Sequence, residues 1–307
     1  MNLRSTCSLL ACLAVLPAAA QGPVIRVNVH LVRALVTVKD TNGQLIGSLN
    51  KNDFTVLDNG VPQEIAVFER QTEQPLMVAM LVDTSGSTRI DLRYELDSVS
   101  KFLRALIVEG NPDDKAALYS FNWQVTLVSD YTRRYSALDQ RLKTLKAEGG
   151  TSLYDAIYLA CRDLERREGR HVMVLITDGG DTTSNKDFHQ ALEAAQLADT
   201  VIYPVLVVPI TNDAGRNVGG ENALTTLAAG TGGRVFTPNV SQLDRAFEDI
   251  MRELRTQYLI GYYPKAVPPT KDRFHTLKVN VQGRNLRVIT RSGYYGDFDD
   301  SATGPRR

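Results

Sequence analysis

The chain has 307 residues, 43% of them hydrophobic, and its 35 Lys and Arg balance 35 Asp and Glu. With no net charge and no run of basic residues, it offers no electrostatic footprint for nucleic acid or an anionic membrane. The length suits one full α/β domain plus something smaller, and three cysteines, at 7, 12 and 161, exclude a disulfide framework.

Residues 1–20 read as a secretory signal: Arg4, an apolar stretch to Leu16, then Pro17-Ala18-Ala19-Ala20, with Ala-x-Ala before Gln21 suiting signal-peptidase cleavage. A membrane anchor needs about 18–20 apolar residues, longer than this run. Lipoprotein processing at Cys12, after Leu9-Leu10-Ala11, ranks second because so short an apolar run precedes it. The mature protein is therefore expected across the inner membrane, periplasmic or extracellular. Cys7 and Cys12 leave with the signal. Cys161, beside the apolar stripe of a helix and without a nearby His, reads as a buried structural residue.

Residues 24–70 read as strands, with hairpin-type turns at Asp40-Thr41-Asn42-Gly43 and Asp58-Asn59-Gly60. From Leu76 strands and helices alternate. Strand Leu76–Val82 precedes a helix with Leu92, Leu96, Val99, Leu103 and Leu106 on one face. Lys115–Phe121 and Val125–Val128 read as a hairpin around Asn122-Trp123 that supplies an antiparallel edge strand. A helix over 136–145 follows, then one that Ser152 and Asp155 cap as a pair, presenting Leu153, Ala156, Ile157, Ala160 and Leu164 at helical spacing. Strand Val172–Ile176, a helix over 188–198, strand Val201–Val207, a loop with Asn212, Gly215, Gly219 and Gly220, a short helix over 222–228 and strand Arg234–Phe236 come next. The last helix of this part starts at Ser241, with Asp244 three residues on in capping-box fashion. Such alternation predicts a doubly wound, mostly parallel sheet.

After Arg255 the pattern is strand-like again: Tyr258–Tyr262, then Leu277–Val281 and Leu286–Thr290 joined at Gln282-Gly283-Arg284. Isolated hairpins are marginal in water. Residues 23–72 and 256–296 are therefore expected to make one small β-sandwich-like domain, with the α/β domain, residues 74–255, inserted into it. The alternative is that these strands extend the main sheet. Residues 297–307 read as a disordered tail.

The chemistry is concentrated in three segments. Asp83-Thr84-Ser85-Gly86-Ser87 follows the apolar run Leu76–Val82, Gly149-Gly150-Thr151 precedes a helix, and Thr177-Asp178-Gly179 closes the run Val172–Ile176. Strand tips of open parallel sheets are where ligands bind. Carboxylate and hydroxyl oxygens suit Mg²⁺, Mn²⁺ or Ca²⁺ rather than zinc. Each segment alone is also ordinary turn or cap chemistry; their joint occurrence carries the reading. Asp181 and Asn122 stand nearby as outer candidates. Other chemistry finds little support. The four histidines lack metal-protease spacing, there is no G-x-S-x-G elbow, and no glycine motif fits a nucleotide.

In order and residue type, Asp83, Ser85, Ser87, Thr151 and Asp178 resemble the metal-ion-dependent adhesion site of von Willebrand factor type A domains. The resemblance runs from about Pro75 to Arg255. The flanks, including Leu49–Gly60, Gln257–Pro264 and Arg291–Tyr295, resemble the bacterial VWFA-related Acidobacterial domain family. The resemblance implies a von Willebrand factor A, Rossmann-like fold. It also implies a non-catalytic adhesion or scaffold role in which a divalent cation, Mg²⁺ first, docks an Asp or Glu carboxylate of a protein partner. Ser85, Ser87 and Thr151 would coordinate directly, and Asp83 and Asp178 largely through water. No nucleic acid, nucleotide or membrane span is expected. The rival reading is a metal-assisted hydrolase or other metal-dependent enzyme component; a third is a purely structural metal site.

Overall fold

The computed structural model describes residues 31–70, 74–207, 217–283 and 285–296; the signal at 1–20 and the tail at 297–307 lie outside the described residues. Four strands come first: β1 (Val32–Lys39), β2 (Phe54–Asp58), β3 (Val61–Gln63) and β4 (Ile65–Arg70). The alternating part begins with β5 (Leu76–Asp83), α1 (Leu92–Ile107), β6 (Lys115–Phe121) and β7 (Val125–Thr132). It continues through α2 (Tyr135–Leu142), α3 (Leu153–Leu164), β8 (Arg170–Thr177) and α4 (Phe188–Leu197). Strand β9 (Thr200–Leu206), α5 (Val218–Thr231) and α6 (Leu243–Thr256) complete it. The chain then adds β10 (Tyr258–Tyr262), β11 (Phe274–Val281), β12 (Arg287–Ile289) and β13 (Gly293–Tyr295).

The five strands of the middle part form one sheet in the order β7-β6-β5-β8-β9. Strand β5 lies between β6 and β8, parallel to both, β9 is parallel to β8, and β7 is the antiparallel edge. Every residue of β5, β8 and β9 is buried, as expected of apolar strands covered on both faces. One face packs on α1, α2 and α6 through residues such as Phe102, Leu138 and Ile250. The other packs on α3, α4 and α5 through Ile157, Ala195 and Leu227. The chain is thus a mixed α/β protein with a doubly wound, mostly parallel sheet, and its strand carboxyl ends all but β7's open on one side.

The flanking strands make two further four-stranded sheets, β12-β1-β10-β4 and β13-β11-β2-β3. Each draws strands from before and after the α/β part. Val36, Tyr258 and Ile260 of one sheet share a core with Val56, Leu277 and Val279 of the other, and the rings of Phe54 and Tyr258 meet across the gap at 5.0 Å.

Several local expectations are corrected. Strands β11 and β12 do not pair as a hairpin; β11 joins β2 and β13 while β12 joins β1, so the chain changes sheets between them. The segment 234–236 is no strand. Phe236 makes one bridge to Val205, and Pro238, two residues on, has no N–H to extend it. Asp40–Gly43 is a turn that returns only one bridge, Lys39 to Leu45. Helix α5 begins at Val218, because Gly219 and Gly220 lie inside its first turn. A side chain at Gly220 would collide with the Gly179 carbonyl, so that glycine serves close packing rather than a loop. Ser241 does not cap α6. Its Oγ donates to Asn239 Oδ1 at 2.7 Å within a 3-10 turn over Val240–Gln242.

Gln257 alone separates α6 from β10. Fully buried, its side chain donates to Thr37 Oγ1 at 3.1 Å and Tyr203 OH at 3.2 Å and accepts from Arg170. Nearby, buried Glu253 of α6 pairs with Lys39 of β1 and with Arg234. These contacts tie the end of α6 to the flanking sheets.

Candidate functional site

Asp83 ends β5 and is fully buried. An ionised carboxylate there needs strong partners, and it has two: Oδ1 accepts from the Ser85 amide at 2.8 Å, and Oδ2 from Thr177 Oγ1 at 2.6 Å. Burial pushes Asp83 up to about 6; the bonds from Thr177 and Ser85 pull the other way, and Asp178 adds to the rise.

The loop after Asp83 is held on both sides. Thr84 donates its amide and its hydroxyl to the Phe121 carbonyl at 2.8 and 3.1 Å, and Thr88 Oγ1 donates to the Ser85 carbonyl at 3.0 Å. Between those anchors the Ser85 and Ser87 hydroxyls stand 3.0 Å apart. Ser85 is buried and Ser87 is exposed, so the pair runs from the interior to solvent.

Thr151 lies on the adjoining loop. The Gly86 amide donates to the Gly149 carbonyl at 3.0 Å and the Glu148 amide to the Thr84 carbonyl at 2.8 Å, which laces the two loops together. Thr151 is 5% exposed; its amide donates to Thr182 Oγ1 and its carbonyl accepts from the amides of Thr182 and Thr183, all at 2.8–3.1 Å. With both backbone groups bonded, the main chain at Thr151 is held in place. Gly149 has φ +75°, and a side chain there would strike the Trp123 indole, so only glycine lets this loop pass under that ring. Trp123 is itself 60% exposed.

Asp178 follows β8 and is half-buried; its charge acts on both Asp83 and Glu95. The structure therefore gathers Asp83, Ser85, Ser87 and Asp178 around the tips of β5 and β8, with the Thr151 loop laced to the first of them. Asp181 and Asn122 are otherwise engaged. Asp181 Oδ1 accepts from the Leu153 and Tyr154 amides and from Ser184, and so supplies the cap of α3 that the sequence assigned to Ser152 with Asp155. Asn122 Oδ1 accepts from the Gln124 amide within its own turn.

Sequence reasoning missed Glu95. It lies on the buried face of α1 with Leu92, Ser98, Val99 and Phe102 and is 2% exposed. Burial pushes it up to about 8, with Asp83, Asp178 and Asp91 adding to the rise. Its position three residues after Leu92 and four before Val99 was the signal: a carboxylate on an apolar stripe.

The donors around these tips are all oxygen, which fits a hard cation and not zinc. Among the described residues no three His, Cys, Asp or Glu side chains cluster as a metal-ligand group, so a cation here would have to draw on hydroxyls. Asp178 acts on Asp83, and Asp83, Asp178 and Asp91 act on Glu95, each raising its proton affinity.

Residues 78–180 match the family model for the von Willebrand factor type A domain. No curated protein matches the chain. Among solved structures, the chain is similar to the von Willebrand factor domain of the type V pili tip protein Mfa5 from Porphyromonas gingivalis, at 15% identity and TM-score 0.49, covering 58% of this chain and 94% of that one. It is also similar to an aerotolerance-related membrane protein from Bacteroides fragilis, at 20% identity and TM-score 0.47 over 58% of this chain and 98% of that one. BatB, a conserved hypothetical protein from Bacteroides thetaiotaomicron, matches at 18% identity and TM-score 0.47 over 59% and 100%. Among the described residues no helix is long and apolar enough to cross a membrane.

Proposed function

We propose that this chain is a secreted, non-catalytic protein-binding module that docks an Asp or Glu of its partner through a divalent cation, Mg²⁺ first and Mn²⁺ or Ca²⁺ after it. Ser85, Ser87 and Thr151 would hold the ion by their hydroxyls, and Asp83 and Asp178 would balance its charge. The observation that carries this reading is the hydroxyl pair of Ser85 and Ser87, 3.0 Å apart, set beside a buried Asp83 on which the charge of Asp178 acts. A cation held largely by neutral hydroxyls keeps much of its charge for an incoming carboxylate. The match of residues 78–180 to an interaction-domain family points the same way.

In this reading the exposed Trp123, which covers the Thr151 loop, borders the docking face, and the flanks are read as resembling the VWFA-related Acidobacterial family. The segments 23–72 and 256–296 are read as one β domain into which 74–255 is inserted, supported by the two sheets and one core their strands share. The experiment is capture from envelope extract on the immobilised protein in Mg²⁺ and in EDTA. A partner retained only in Mg²⁺, and released when one of its acidic residues is replaced, is the expected result; retention in EDTA would make any cation structural and move the contact surface elsewhere.

A further inference from the structure

We propose that Glu95 is a further carboxylate of this metal site, adding negative charge on its interior side to hold the cation. The inference rests on the reading that a divalent cation binds among Asp83, Ser85, Ser87, Thr151 and Asp178.

An acidic residue in the first turn of a helix is ordinarily favoured by the helix dipole at an exposed site. Glu95 is not exposed. It faces inward with Leu92, Val99 and Phe102, and its Oε2 is buried without a hydrogen-bond partner. Burying a carboxylate costs more than the dipole returns. The charges nearest in effect, Asp83 at the tip of β5, Asp178 after β8 and Asp91 beside the start of α1, are of its own sign. As a structural element of the metal-free fold, Glu95 is a defect.

Its direction supplies the reason. Helical side chains lean toward the helix N-terminus, which for α1 is the 3-10 turn Gly86–Ile90 that leaves the Ser85 loop. Glu95 therefore leans toward the loop bearing Ser85 and Ser87, from the interior, while Ser87 faces solvent. A cation at that loop converts the repulsion among Asp83, Glu95 and Asp178 into attraction, and Glu95 acts without occupying the outer side where a partner's carboxylate would arrive.

The test uses the full chain with Glu95→Gln and, as a second variant that brings no amide of its own, Glu95→Ala. Mg²⁺ and Mn²⁺ affinities are measured by calorimetry, and thermal unfolding is followed in EDTA. Loss of a supporting carboxylate should weaken both metals about tenfold or more, as for the outer partners of metal ligands generally, while Glu95→Gln melts higher than the wild type in EDTA because a group that must take up a proton to be buried is gone. A residue that only packs would give the opposite pair, lower melting and unchanged affinity. Affinity within threefold of wild type in both variants overturns the proposal, whatever happens to melting. A wild type that binds neither metal removes the underlying reading as well, which separates the two failures.

Discussion

The two ends of the central sheet bury charge in opposite ways. At the end where α6 passes into β10, each acid meets a base. Glu253 pairs with Lys39 and Arg234, Asp114 accepts from Arg255 and from the Leu76 amide at 2.8 Å, and Arg170 donates to the Leu254 carbonyl at 2.9 Å and to Gln257. At the strand tips, Asp83 and Glu95 are as deeply buried, yet the charges acting on them are acidic. One end is neutralised by the chain itself and serves the fold; at the other, buried carboxyls of like sign act on one another, which is the charge the proposed cation would offset. Buried carboxylates with raised proton affinity mark functional sites more often than structural ones, and here the contrast lies within a single sheet.

The comparison breaks first at the neutralised end. Glu253→Ala strands Lys39 and Arg234 beside the sheet, and removing one partner of a buried pair costs about 3–5 kcal/mol; with Arg234 34% exposed, a loss near the lower limit is expected in urea unfolding. A change within error would mean that the junction is not held by charge. At the tips the largest effect falls on binding rather than stability. Asp83→Ala should weaken Mg²⁺ about a hundredfold, which corresponds to about 2.7 kcal/mol, as read by calorimetry on a chain that still folds.

The pH dependence sharpens the contrast. Asp83 rises from 3.8 to about 6 and Glu95 from 4.5 to about 8 on folding. Between roughly pH 4 and pH 8 the folded state therefore holds protons that the unfolded state has released, and stability falls as pH rises through that window. Thermal unfolding in EDTA should show a downward slope across it that Glu95→Gln makes shallower. Equal slopes for the two proteins would contradict the assignment of that proton to Glu95. The smallest effect on the fold belongs to Trp123→Ala. An exposed side chain is worth within about 0.5 kcal/mol of stability, and Mg²⁺ affinity should hold while capture of the partner weakens.

Much of this arrangement was legible in the sequence. Unbroken apolar runs announced β5 and β8, whose burial on both faces admits little else, and helical spacing gave the buried faces of α1 and α3. The positions of Asp83 and Asp178 at strand tips follow directly from where those runs stop. Longer-range competition hid the rest. Gly219 and Gly220 read as loop because glycine weakens helices, and only the contact of Gly220 with Gly179 explains their place in α5. Ser152 read as the cap of α3, but Asp181 from another loop takes those amides. The parting of β11 and β12 depends on which sheet each can reach, which no local pattern records. Glu95 was overlooked for a plainer reason: near a helix start an acid is unremarkable, and its burial becomes apparent only when the stripe is counted through it.

Calorimetric titration of the wild type and of Ser85→Ala/Ser87→Ala with Mg²⁺ and Mn²⁺ tests the central claim most directly. The two serines contribute hydroxyls and little apolar packing, so the double variant should keep the fold. The account predicts one binding event in the wild type and its loss, by at least about a hundredfold in affinity, in the variant. Unchanged binding of both metals in a folded double variant would contradict it.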